Sequence, residues 1–316
     1  MSKQRILVTG SEGSLMQYVI PVLQEEGYHV IGVDNFARYG EIKRKRNYDF
    51  IRGDLTDKNF VDEIMQNIDG VVQAAALIYG VGGFNKYPAD ILSKDIVLHQ
   101  NILWAMLKNN VKRIAYISSS MVYERSEHHP CKEEDAFEAI IPSTDYGLSK
   151  LTGERLCIAF SKQFGLDYTI WRPFNIITPH EEGEGEQGIS HVFADFVKNL
   201  IIDKKNPLPI IGDGEQIRCF TWIEDVANVI GKYSFNKNSK NETYNIGNPE
   251  PISMKELAKL IYQGTDELKF ITTKNFSDDV KIRIPDISKA EKELNFSPTK
   301  KVEESVKICV QSVLGK

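Results

Sequence analysis

A phenol and an ammonium stand four residues apart in Tyr146-Gly147-Leu148-Ser149-Lys150, a spacing that puts both side chains on one face of a helix. A tyrosine with its usual pKa near 10 is a poor base at neutral pH, but an adjacent cation stabilises the phenolate and brings it within reach. Ser118-Ser119-Ser120 supplies hydroxyls that could pass a proton between that phenol and a substrate oxygen. A Tyr-x-x-x-Lys pair alone is a weak signal, because such pairs are common on helix surfaces. Its weight comes from where it falls in the chain.

A second group of residues sits near the start. Thr9-Gly10-Ser11-Glu12-Gly13-Ser14-Leu15-Met16 lies between an apolar run and an amphipathic stretch. A glycine turn there aims backbone N–H groups at a pyrophosphate. Gly10 permits the turn and Gly13 lets the backbone approach the ligand. Asp34 ends the next apolar run, where a carboxylate accepts from an adenosine ribose diol and repels a 2′-phosphate, so NAD is expected over NADP. Asp54 reads either as an acceptor for the adenine amino group or as a turn former. The third glycine of this fingerprint is replaced by Met16, which predicts an outward tilt of the helix or weak, unusual NAD binding.

The elements that must position these groups follow from the rhythm of the first half. Apolar runs at 5–9, 28–33, 48–52, 70–75, 113–117 and 166–171 alternate with helical patterns at 15–26, 58–67, 88–109 and 145–164. Near-continuous apolar strands separated by helices predict a doubly wound, Rossmann-type α/β fold with a parallel sheet buried on both faces. Ser118 to Ser120 then fall at the carboxyl end of the fifth strand, where open α/β sheets bind ligands. After Trp171 the rhythm breaks into an acidic, glycine-rich loop at 180–188, a helix at 190–203, short strand-like pieces, a helix at 224–234 and a late strand at 244–246. Trp104, Trp171 and Trp222 are read as core, and His128 and His129 as solvated.

Composition narrows the function further. The 316 residues carry 39 basic and 44 acidic side chains, a net charge of −5, which argues against a nucleic-acid partner. No apolar run approaches a membrane span, and the first residues lack a secretory pattern. Cys131, Cys157, Cys219 and Cys309 are scattered and the six histidines form no ligand pattern, so neither a disulfide framework nor a metal site is expected. A cytoplasmic setting is the expectation.

Taken together the motifs resemble the extended short-chain dehydrogenases/reductases, in particular the NAD-dependent epimerases and dehydratases of nucleotide sugars. The resemblance rests on TGSEGSLM, VDN at 33–35, GDL at 53–55, AAA at 74–76, SSSMVY at 118–123, YGLSK, RPFN at 172–175, RCFTWIEDVA at 218–227 and YNIGN at 244–248. It implies cofactor contacts at Gly10, Glu12, Gly13, Asp34, Asn35, Asp54, Leu55, Ala74 and Ala75, with Tyr146 as base and Lys150 lowering its pKa and holding the nicotinamide ribose. Alignment on Val122-Tyr123 puts the catalytic hydroxyl at Ser119, with Ser120 the fallback and Glu124 in place of a glycine. A nucleotide-diphosphate sugar is the implied substrate, with contacts at Ser119, Ser120, Met121, Asn175, Arg218 and Arg283. The loop Tyr79-Gly80-Val81-Gly82-Gly83-Phe84 is similar to those of GDP-sugar enzymes, which adds Gly82 and Gly83. Asp95 stands where relatives carry Asn. The implied division is a dinucleotide domain, 1–171 plus about 222–248, and a smaller C-terminal α/β domain for the sugar nucleotide, about 172–221 plus 249–316. Pairing of the helix from Pro88 and the helix bearing Tyr146 with their copies implies a homodimer.

Family members open by oxidising the sugar at C4. Those that eliminate water or lose CO2 resemble one another in carrying a carboxylate after the catalytic Ser/Thr, and 3,5-epimerising relatives carry Cys at the Met121 position. Ser120-Met121 supplies neither. The expectation is a 4-epimerase working through a transient 4-keto sugar. The alternatives are a C4 oxidoreductase, a dehydratase or decarboxylase, or a non-catalytic nucleotide-binding protein.

Overall fold

The computed structural model describes residues 3–38, 40–41, 45–138, 141–184, 186–273 and 280–315; Gly185 of the acidic loop lies outside them. Seven parallel strands form the central sheet: β1 (Arg5–Thr9), β2 (His29–Asp34), β3 (Asp49–Arg52), β4 (Gly70–Gln73), β5 (Arg113–Ile117), β6 (Asp167–Pro173) and β7 (Glu242–Ile246). Their spatial order is β7-β6-β5-β4-β1-β2-β3. The order reverses between β1 and β4, which opens a crevice at their carboxyl ends. There Thr9 stitches the two strands together: its Oγ1 donates to Gln73 Oε1 at 2.6 Å and accepts from the Ala74 and Ala75 N–H groups at 3.1 Å each.

Helices cover both faces, as expected for strands apolar on both sides. On one face α1 (Met16–Glu25) and a late helix, Ile223–Tyr233, pack Val19, Ile20, Leu23, Val226 and Ile230 against Ile6 and Val8 of β1. On the other, α2 (Lys58–Ile64), α3 (Pro88–Lys108) and α4 (Asp145–Phe164) pack Val61, Ile102, Met106 and Cys157 against Leu7, Val71 and Ile114. Trp171 and Trp222 are buried as read, and His128 and His129 are exposed. Trp104 corrects the reading: it is 53% exposed, set edge-on against Phe160 and Phe164 on the outer side of α3 and α4.

The rest of the chain gathers round another apolar cluster that includes Phe193, Phe196, Leu208, Leu257, Ile261 and Val306. The expected helix at 190–203 is an α-turn, Val192–Val197, continued by a π-turn, Lys198–Ile202. A small sheet lays Ile282–Arg283 parallel to Ile217–Cys219, with Arg283 directly opposite Arg218. Among the described residues no helix is long and apolar enough to cross a membrane, and no cluster of three potential metal ligands occurs.

Candidate active site

A cleft of about 340 Å³ opens at the carboxyl ends of β1, β4, β5 and β6, roofed by segments after Pro173. Helix α4 brings Tyr146 and Lys150 to its wall, and the start of that helix is fixed by side chains. Thr144 Oγ1 accepts from Gly147 N at 3.0 Å, a capping bond that satisfies an otherwise orphan donor. The Glu124 carboxylate in turn receives Ser143 Oγ at 3.0 Å, Thr144 N at 2.7 Å and Thr144 Oγ1 at 2.5 Å. The departure from glycine at position 124 thus anchors the helix that carries the phenol.

The Tyr146 ring is 3% exposed and stacks on Phe84, with centroids 4.7 Å apart and planes 8° from parallel. Burial pushes its pKa up and the Asp95 carboxylate adds to this, while the Ser119 hydroxyl and the Arg283 guanidinium pull it down. Lys150, expected to lower it, is not among the groups that act on the phenol here. The Lys150 ammonium lies 5.6 Å from the Tyr146 ring centroid and donates to the Ile117 carbonyl at 3.1 Å. Burial lowers the Lys150 pKa, and Asp95 and Glu154 raise it.

The three serines have separate fates. Ser118 donates to the buried Glu154 carboxylate at 2.5 Å. Glu154 holds Arg172 in a two-pronged pair, 2.8 Å to Nε and 2.6 Å to Nη2, with neither side chain exposed. Ser119 caps a short turn, Ser120–Tyr123, accepting from Met121 N at 3.2 Å, and its hydroxyl acts on the Tyr146 phenol to lower its pKa. Ser120 is buried in the cleft wall beside Met121.

On the glycine-turn side, Gly10 has φ +65° and a Cβ there would stand 2.9 Å from Ala75 N, so only glycine lets the turn reach β4. Helix α1 has no capping side chain, and Ser14, Leu15 and Met16 at its start line the cleft. Met16 is 1% exposed: it joins the core of β1 and α1 and also borders the cleft. Asp34 accepts from Glu12 N at 3.0 Å and Phe36 N at 2.8 Å, one bond on each oxygen, which leaves each oxygen capacity for a hydroxyl. The Glu12 carboxylate points away, to Arg46 at 2.9 and 3.1 Å and Tyr48 Oη at 2.5 Å. Asp54 Oδ1 forms a turn with Thr56 N and Oγ1 at 2.9 and 2.8 Å, and its side chain also meets Asn35. Leu55 is a core side chain, and Ala74 and Ala76, but not Ala75, face the cleft.

On the opposite wall Arg218, Arg283 and Asn175 come together: Arg283 donates to Asn175 Oδ1 at 3.1 Å and lies against the Met121 sulfur, and Asn175 donates to the Cys219 carbonyl at 2.9 Å. Gly82 and Gly83 correct the sequence reading. Gly82 N donates to the Gly188 carbonyl at 2.9 Å and Gly83 N to the Gly80 carbonyl at 3.0 Å, with a longer contact to Gly188 at 3.4 Å, and it is Gly80 and Val81 that line the cleft. Gly80 is needed for contact between two loops, since a Cβ there would stand 2.1 Å from Ser190 O.

Residues 6–247 match the model of the NAD dependent epimerase/dehydratase family. The chain belongs to this family. It is 30% identical over 315 residues to a UDP-glucuronate 4-epimerase of Thermodesulfobacterium geofontis, covering 95% of this chain and 93% of that one. Among solved structures, a Thermotoga maritima UDP-glucose 4-epimerase with UDP-glucose aligns with TM-score 0.86, 26% identity and 99% coverage of both chains. A Bacillus cereus UDP-glucuronic acid 4-epimerase in complex with UDP-glucuronic acid and NAD aligns with TM-score 0.83 and 26% identity, again over 99% of both.

NAD is the cofactor of the family, and the residues present suit it: the cradle at Gly10 that a Cβ would fill, the uncapped start of α1 and the half-occupied Asp34 carboxylate. Several cleft residues of this family member were not singled out from its sequence. Phe84 sits one place beyond the glycines that drew attention. His191 and Glu181 form a pair at 2.7 Å in the cleft wall, and Asp195 accepts from Gly188 N at 2.7 Å. Arg38 bonds the Ile78 carbonyl at 2.6 Å, pairs with Glu184 at 2.6 Å and lies over the Tyr79 ring, joining the loop after β2 to the acidic loop. The only hint in the sequence was the opposite charge of the two loops.

Proposed function

We propose that the protein is an NAD-dependent nucleotide-sugar 4-epimerase, with Ser119, Tyr146 and Lys150 as its working residues and a UDP-sugar as the first substrate to try. The reading is carried by one observation: Ser119, Tyr146 and Lys150 share a cleft with two adjacent arginines, and the position after the serines is Met121 rather than a carboxylate. The paired guanidiniums of Arg218 and Arg283 suit a diphosphate. Asn175, Ser120 and Met121, with Gly80 and Val81, would border the sugar. Gly10, Gly13, Asp34, Asn35, Asp54 and Ala74 would hold the dinucleotide, and the part of the chain at about 172–221 plus 249–316 the sugar nucleotide.

In this reading Tyr146 takes the C4 hydroxyl proton through or beside Ser119, and returns it after the keto sugar has turned over in the cleft. Bound NAD supplies the acceptor, and later the donor, of the C4 hydride. Lys150 holds the nicotinamide ribose and keeps positive charge near the phenolate. No further base is needed, because hydride leaves and returns at the same carbon. Four free, buried cysteines support a reducing, cytoplasmic setting. Exposed Val97 and Trp104 on α3 support a homodimer across α3 and α4.

The test is incubation of the NAD-loaded protein with UDP-, GDP-, CDP- and dTDP-sugars and identification of products by NMR. A C4 epimer without net NADH, lost by about 10²–10⁴-fold in Tyr146→Phe, is the expected result. Accumulating NADH or released CO2 would overturn it in favour of an oxidoreductase or a decarboxylase.

A further inference from the structure

Behind the tyrosine and lysine lies an acid that the reaction does not consume. Asp95, on α3, is fully buried. Its Oδ1 accepts from Leu77 N at 3.0 Å, and the Ser149 hydroxyl lies between its Oδ2, at 3.2 Å, and the Tyr146 carbonyl, at 2.9 Å. The carboxylate therefore rests against the single helical turn that carries both Tyr146 and Lys150. The charged and titratable neighbours of that turn can be named by element. From α3 come Asp95 and His99, the latter kept neutral by burial and by Lys150. From β5 and its end come Tyr116 and Ser119, from the small sheet Arg283, and from α4 itself Glu154, whose charge is already matched by Arg172. The cluster around the Tyr146 ring holds Phe84 and Ile91, with Leu77, Ile78, Tyr79, Tyr87 and Met121 packed against it. Burial pushes the Asp95 pKa up, against the pull of Lys150, the Leu77 N–H and the Ser149 hydroxyl, and Asp95 is the one buried carboxyl in this group that acts on both Tyr146 and Lys150 without a cation bound to it in an ion pair among the described contacts.

We propose that Asp95 is the internal counter-charge of the site, a positioning residue that keeps Lys150 an ammonium and Tyr146 a neutral phenol, and so sets the pH at which the base works. The proposal rests on Tyr146 being that base. Removing the charge relieves repulsion on the phenolate and withdraws support from the ammonium. Both groups then lose their protons at lower pH. Asp95→Asn is nearly isosteric: Oδ1 can still accept from Leu77 N, and the Ser149 hydroxyl can accept from the new amide.

The experiment labels tyrosines with ¹³C at the ζ carbon in the NAD-loaded protein, and identifies the Tyr146 signal by its loss in Tyr146→Phe. In Asp95→Asn the Tyr146 midpoint is expected to fall by about one pH unit. In UDP-glucose turnover both limbs of the pH profile move the same way, with KM little changed. A midpoint that stays or rises overturns the proposal, as do limbs that stay put or move apart. Should the variant fail to fold, the ¹³Cγ signal of Asp95 in the unmodified protein decides: an ionised carboxylate at pH 7 supports the proposal and a protonated one overturns it. If Tyr146→Phe turns over normally, the reading of the base falls instead.

Discussion

Glu154→Gln isolates what the buried ion pair under the active site contributes. The substitution keeps the shape and leaves Oε1 to accept from Ser118, but it strands the Arg172 guanidinium with neutral partners only, Tyr123 Oη at 2.5 Å and the Glu133 carbonyl at 2.7 Å. Removing one member of a buried pair typically costs about 3–5 kcal/mol. An independent estimate agrees: two unit charges ~4 Å apart at an effective dielectric of ~20 attract by about 4 kcal/mol. At roughly 2–4 °C per kcal/mol for a larger domain, the midpoint of thermal unfolding should fall by about 6–20 °C, read by circular dichroism at pH 7. The double variant Glu154→Gln with Arg172→Met removes the stranded charge and should recover part of that loss. A fall of less than about 1 kcal/mol in the single variant, or a double variant less stable than the sum of the two singles, would refute the claim that charge burial holds α4 to β6.

Three further outcomes follow from the geometry. Gly10→Ala places a Cβ 2.9 Å from Ala75 N at φ +65°; a stability loss of about 1–2 kcal/mol or more is expected, together with loss of the rise in melting point that NAD gives the parent. Burial lifts the Asp195 carboxyl to about 7, against the pull of the Gly188 N–H bond. An acid raised in the folded state stabilises it at low pH and loses that contribution as pH rises towards 7, so Asp195→Asn should gain more in melts at pH 8 than at pH 5, by at most about 2–3 kcal/mol. Trp104→Glu should shift the solution mass measured by light scattering from dimer to monomer, and an unchanged dimer would exclude the α3 and α4 faces as the interface.

The sheet was legible because its strands are buried on both faces and read as apolar runs. Strand β5 and helix α4 lie where the pattern put them, since α4 is bounded by a Thr144 cap and by Gly165 at φ +70°. The chemistry-bearing residues stood out because they occupy fixed offsets from strand ends. What the sequence hid are contacts between distant segments. That Glu124 would anchor the Thr144 cap of α4 across 20 residues, or that Phe84 would stack on a ring 62 residues later, depends on side-chain direction in three dimensions. Trp104 misled for a related reason. Its hydrophobicity suits a core, but the face of α3 that carries it points away from the sheet.

The stack of Phe84 on Tyr146 joins that ring to a helix of only six residues, Val81–Lys86, fastened to the rest by Gly80 N to the Ile189 carbonyl and by Lys86 to Glu186. So short an element opens at lower free energy than the sheet beneath it. Heat should therefore loosen the phenol's orientation while the seven strands are still intact, and loss of turnover should precede loss of secondary structure in any mesurement that follows both.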